Sequence, residues 1–130
     1  MLALEDFLLA AEAVLGIDAD RLARVAKIPL AESALAAPFA SFGDHDFYEH
    51  PIQRAAVLAS RIMANHPLPD GNKRVALLLM DLYLEQEGVR LAAAPVELDQ
   101  TLRAVAAKEM DEDHFILWLQ AHTEWPGQQS

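Results

Sequence analysis

Cysteine is missing from all 130 residues, which excludes disulfides and thiolate metal sites and fits a reducing compartment. Basic residues are scarce: 10 Lys and Arg stand against 20 Asp and Glu, a formal net charge of −10. Nucleic-acid backbones are bound by surplus Lys and Arg on one face, so this balance argues against nucleic acid as a direct partner. It favours basic proteins as partners. A small phosphorylated ligand stays open, because a local cationic cluster acts over a few ångströms where the global charge is screened. The longest apolar run, around Val75 to Leu84 and broken by Asp81, is too short to span a bilayer. Met1-Leu2-Ala3-Leu4-Glu5-Asp6 lacks the basic stretch of a signal peptide. The five glycines, at 16, 43, 71, 88 and 127, form neither a Walker nor a dinucleotide loop. These absences leave a soluble, cytoplasmic protein with no membrane partner. The 53% of hydrophobic residues suffices for the core of a single domain.

That core is patterned as helices. Leu4, Phe7, Leu8, Ala11 and Leu15 share one helical stripe that stops at Gly16, and Asp18 is placed to cap a short helix through Val25. Another short helix fits Pro29 to Ala36. Pro51 suits a first helical position, with Ile52, Ala55, Ala56, Ala59, Ile62 and Met63 on the buried face of the helix that follows. A central apolar helix begins near Asn72 and ends at Gly88. Pro95 opens the next, with Leu98, Leu102, Val105 and Ala106 on one side, and Asp111 or Glu112 begins the last, with Phe115, Trp118 and Leu119 inward. No strand pattern competes, although Arg90 and Leu91 suit a brief extended piece. The expected fold is an all-α bundle of about six helices over residues 1–123, with 124–130 a frayed tail.

Chemistry is concentrated in one place. His66-Pro67-Leu68-Pro69-Asp70-Gly71-Asn72-Lys73-Arg74 carries a base, a carboxylate, an amide and two cations in nine residues, directly before the most apolar helix. The prolines and the glycine make 66–71 a turn. Backbone N–H groups at the start of the following helix lack partners within it and form an anion site. Taken singly, His66 also fits a turn histidine bonded to backbone, and Asp70 a helix cap accepting from the Lys73 N–H. Lys73 and Arg74 resist a purely structural reading, because cations at a helix start oppose the dipole and an anion offsets this. Elsewhere His45, His50 and His114 lack the spacing of a zinc site and read as solvated surface, and Asp111-Glu112-Asp113 reads as a favourable helix start.

The nine-residue segment resembles the signature loop of the Fic/Doc family, roughly His-Pro-Phe-x-Asp/Glu-Gly-Asn, then Gly or Lys, then Arg. Lysine after the asparagine points to the Doc (death on curing) branch. Leu30-Ala31-Glu32-Ser33-Ala34-Leu35-Ala36-Ala37-Pro38 is similar to the Leu-x-Glu-Ser-Ala-Leu-x-x-Pro stretch of Doc-like toxins. Two departures stand out: Leu68 replaces the phenylalanine that anchors the loop, and Arg21 to Ile28 replace a Gly-x-Arg-Asp segment.

The resemblance implies a role for each matching residue. His66 would be the base that takes the proton of a target hydroxyl, and Asp70 the ligand of a magnesium ion bridging ATP phosphates. Asn72 would hold a phosphate oxygen by its side chain, with the backbone of Gly71 to Lys73 cradling it and Arg74 clamping a neighbouring phosphate. A near-neutral base, a hard carboxylate oxygen and an arginine fork suit those tasks. Relatives with glycine in place of Lys73 usually transfer AMP. The lysine narrows that space and goes with ATP bound in the reverse sense, its γ-phosphate towards the nucleophile. The implied function is a toxin that phosphorylates a hydroxyl on a translation GTPase such as elongation factor Tu, with adenylylation as the nearest alternative and a catalytically silent binding module as another. The family also places a flap near the 38–51 loop, which carries Phe39, Phe42, Phe47 and Tyr48. A surface loop closing the bundle end fits those residues equally well. Self-restraining relatives carry Ser/Thr-x-x-x-Glu-Gly/Asn, but Tyr83 stands where that hydroxyl belongs before Glu87-Gly88. Control would therefore come from a small antitoxin of the Phd type.

Overall fold

Short-range signals set most of the helix boundaries in the computed structural model, which describes residues 1–125. Helix α1 (Leu4–Leu15) stops at Gly16, whose φ of 68° forms the left-handed cap. Helix α2 (Ala19–Val25) starts under Asp18, whose carboxylate accepts from the Arg21 N–H at 2.9 Å. Helix α3 (Ile28–Ala36) has Pro29 in its first turn and runs into a 3-10 turn, Ala37–Phe39. Prolines open α4 (Pro51–Asn65) and α6 (Pro95–Ala106). Helix α5 (Asn72–Gln86) follows the signature loop, and α7 (Glu112–Ala121) starts under Asp111, which accepts from the His114 N–H at 2.8 Å.

The fold is all-α as expected: the seven α-helices among the described residues are the seven segments read from the pattern, one more than the rounded total of about six, with α2 and α3 apart across an extended Ala26. Two short antiparallel ribbons accompany the helices, and one of them uses the brief extended piece expected at Arg90 and Leu91. Strand β1 (Ser41–Phe42) pairs with β2 (His45–Asp46), and β3 (Arg90–Leu91) with β4 (Thr123–Glu124). Strands of two residues carry no measurable alternation, so periodicity cannot reveal them. The expected domain limit at 123 falls inside β4: Glu124 pairs with Arg90 across the ribbon, and the Trp125 ring meets the His50 ring edge-on. Residues 126–130 of the expected tail lie outside the described residues.

Helix α4 is the hub, packed against α3, α5, α6 and α7. Its Ala55, Ala56 and Ala59 are fully buried, and such small side chains let neighbouring helices approach closely. Met80 and Tyr83 of α5 are core. Phe39 meets Tyr83 edge-on at 6.0 Å. Arg61 of α4 grips Glu112 of α7 with Nε at 3.0 Å and Nη2 at 3.3 Å, and the Tyr48 hydroxyl joins both residues at 3.4 Å. Among the described residues no helix is long and apolar enough to cross a membrane.

Candidate active site

Helix α4 delivers His66 and α5 begins six residues later, so the end of one helix and the start of the next meet at the same place. His66 is the C-cap of α4 with φ 54° and ψ 55°, a left-handed conformation uncommon for a residue with a β-carbon. Such strain persists only where the surroundings over-determine it. Here they do. The Lys27 N–H donates to Pro67 O at 2.8 Å, and Asn65 Nδ2 donates to Leu30 O at 3.0 Å. His66 donates its backbone N–H to Ile62 O, while its exposed ring has no hydrogen-bond partner among the described residues. It is not a turn histidine tied to backbone.

The loop itself is pinned from inside. Leu68, 1% exposed, fills the anchoring position of the family's phenylalanine. Asn72, 6% exposed, brackets it: Oδ1 accepts from the Leu68 N–H at 3.0 Å and Nδ2 donates to Leu68 O at 2.8 Å. This gives Asn72 a structural part beside the one expected of it. Both polar atoms of its amide are engaged in bracing the loop, and what it presents at the helix start is its backbone N–H. Gly71 makes the turn with φ 78°, and a β-carbon there would lie 2.9 Å from Val14 Cγ1 and 3.3 Å from Leu15 Cδ2. Only glycine lets the turn close against α1.

Asp70 does not cap α5. Its Oδ1 accepts from the Gly71 N–H at 2.8 Å, and the N-cap, Gly71, has no side chain to offer. The N–H groups of Asn72, Lys73 and Arg74 are therefore left open at the positive end of the helix dipole. Lys73 has a partner that the sequence did not reveal: its Nζ lies 2.6 Å from Asp99 Oδ1 of α6, and Asp99 Oδ2 accepts from Arg103 Nε at 2.7 Å. The bonds from Lys73 and Arg103 hold the Asp99 carboxyl below the usual carboxylate range. Arg74 is exposed and pairs with no carboxylate among the described residues.

All six expected residues, His66 and Asp70 to Arg74, line one cavity of about 670 Å³, whose opposite wall is α6 with Leu98, Asp99, Leu102 and Arg103. Three cations and two carboxylates line it, so the site is locally positive in a chain of net charge −10. None of residues 40–49 lines it. A hairpin does form where a flap was expected, but it springs from the start of α4. His66 lies at the far end of that helix, roughly 22 Å away at 1.5 Å per residue. Of the remaining histidines, His50 Nδ1 accepts from the Ile52 N–H, His114 pairs with Asp111, and His45 is exposed on β2. Among the described residues no three His, Asp or Glu side chains cluster to hold a metal.

Comparison with known proteins then gives a direct match: the Fic/DOC family aligns with residues 3–84, more than half of the chain. The chain belongs to the Fic/DOC family. Toxin Doc of Mycolicibacterium smegmatis is 34% identical over 87 residues, which cover 65% of this chain and 66% of that protein. The chain thus spans just under two thirds of the relative's length. No solved structure matches it. The match begins at residue 3, so the N-terminal segment that lacks Gly-x-Arg-Asp belongs to the Fic/DOC domain as well. It ends at Leu84, and α6, the second wall of the cavity, lies beyond it.

Proposed function

We propose that this chain is a Doc-type toxin that transfers the γ-phosphoryl group of ATP to a protein hydroxyl. The observation that carries the reading is the union, in one cavity, of an unbonded His66 ring with an uncapped helix start whose Lys73 is drawn across to α6. A volume of about 670 Å³ lies within the ordinary range for small-molecule sites. Open N–H groups at a helix start suit a phosphate, and Arg74 offers a planar fork to a neighbouring one.

His66 takes the proton as the target oxygen attacks the γ-phosphorus. The bond from that phosphorus to the oxygen bridging the β-phosphate breaks, and ADP leaves. Asp70 fits a magnesium ion as one carboxylate ligand among phosphate oxygens, because among the described residues Oδ2 makes no bond and no cage of carboxylates and histidines surrounds it. When bound, the ion would neutralise charge developing on the phosphates. Lys73 favours the γ-phosphate over AMP transfer, since its side chain reaches across the cavity to α6 and restricts the space at the helix start.

The name of the relative supports a toxin–antitoxin setting, and the family resemblance supports a translation GTPase such as elongation factor Tu as target, a Phd-type antitoxin as the controlling partner and the cytoplasm as the place of action. The test incubates the purified chain and a His66→Ala control with magnesium, bacterial lysate and ATP labelled at the γ- or α-phosphate. Label from the γ position alone, absent in the control, is the expected result. Label from the α position would mean adenylylation. Transfer from neither would mean a binding module.

A further inference from the structure

The family match ends at residue 84, and the carboxylate that holds Lys73 sits fifteen residues beyond it, on α6. An ammonium on a four-carbon stem ranges widely unless something fixes it. In this chain Asp99 fixes it, with one oxygen 2.6 Å from Lys73 Nζ. Asp99 is itself oriented, because its second oxygen accepts from Arg103 one helical turn along at 2.7 Å. The three residues thus form a strut from the start of α5 to the wall of α6, and all three line the cavity.

We propose that Asp99 is a positioning residue which, by fixing the Lys73 ammonium across the mouth of the helix-start site, determines which phosphate of the nucleotide reaches His66. The proposal rests on the phosphotransfer reading above. Without Asp99 the ammonium is free to swing out of the helix-start region, and the selection between the two ends of the triphosphate relaxes. Arg103 serves the same end at one remove, by aiming the carboxylate.

The variants to make are Asp99→Asn, Asp99→Glu and Arg103→Gln, assayed for transfer from γ- and α-labelled ATP to lysate protein over a range of MgATP concentrations, with melting temperatures in parallel. Asp99→Asn is expected to raise the apparent KM for MgATP about two- to five-fold, the scale of one partly exposed ion pair. It is also expected to lower the ratio of γ- to α-transfer, with an unchanged melting temperature. Asp99→Glu should restore most of the ratio, and Arg103→Gln should move both readouts the same way by less. If the unmodified chain transfers γ-label while Asp99→Asn leaves KM and the ratio untouched, the positioning role falls and the phosphotransfer reading stands. If the unmodified chain transfers nothing, that reading falls and the proposal with it. Should Asp99→Asn fail to fold, Arg103→Gln decides by the same two readouts.

Discussion

The two polar connections at the ends of α4 are built on opposite principles. The loop at 66–71 is nailed down by groups that carry no charge: a Leu68 side chain in the core, two bonds from the Asn72 amide and one from the Lys27 backbone. The hairpin before α4 is almost free. Residues 41–47 are all exposed, its strands are two residues long, and Phe42 and Phe47 show 79% and 62% of their surface. It is held at its base, where Arg54 donates to Tyr48 O at 2.8 Å and pairs with Asp46 at 3.2 Å while its guanidinium lies over the Phe39 ring. A group that takes a proton must stay within a few tenths of an ångström of its working position, whereas a surface that meets another chain gains from give. On the proposed function, the difference suits the pinned loop to chemistry and the hairpin to contact.

The strongest way to break this contrast is to remove the brace. Asn72→Ala leaves the Leu68 N–H and C=O buried without partners, and each such orphan costs about 1–3 kcal/mol. We expect a loss of about 2–5 kcal/mol in denaturant unfolding and loss of transfer activity, since the loop that carries His66 and Asp70 would no longer be fixed. Asn72→Asp keeps the acceptor but loses the donor, so it should fall between. If Asn72→Ala proves as stable as the parent yet inactive, Asn72 acts on the phosphate by its side chain after all.

What the sequence made legible was local. Gly16, Asp18, Pro51, Pro95 and Asp111 each mark a helix boundary by chemistry acting within four residues, and the six groups of the signature loop are neighbours in the chain. What stayed hidden was the contact between distant segments. Asp99 and Arg103 show an i, i+4 pair beside the buried Leu98 and Leu102, which places them at the edge of the apolar face of α6. Nothing in that spacing says which cavity the edge adjoins. The Arg61–Glu112 clamp spans 51 positions and was equally invisible. The brace from Asn72 was hidden for a related reason: its distance to Leu68 depends on how the turn folds back, which composition does not set.

At the hairpin the expected effects are smaller. Phe42→Ser and Phe47→Ser together remove exposed apolar surface and break no hydrogen bond, so unfolding free energy should change by less than about 0.5 kcal/mol. Affinity for MgATP should be unchanged, because no residue of 40–49 lines the cavity. If the hairpin is a contact surface, transfer to protein acceptors falls while nucleotide binding holds. A stability loss above about 1 kcal/mol would show that the aromatics are part of the fold.

The smallest effect concerns pH, and it separates the two ends of α4 by the nature of their fastenings. The bonds that brace Leu68 and Pro67 come from amide and backbone groups, which do not titrate. The hairpin base depends on Tyr48, whose phenol is pushed above its ordinary value of about 10 by burial first and by the nearby Glu112 second. A folded-state value above the unfolded one means that this contribution is complete below pH 10 and is lost as pH rises through the raised value. Tyr83, the chain's other tyrosine, is raised as well, chiefly by burial. The midpoint of the phenolate absorbance should therefore lie above pH 10, with part of the rise removed in Tyr48→Phe. A full-sized tyrosine step centred at pH 10 in the folded protein would mean that the hairpin base is solvated and that the hairpin is freer than its contacts with Arg61 and Glu112 imply.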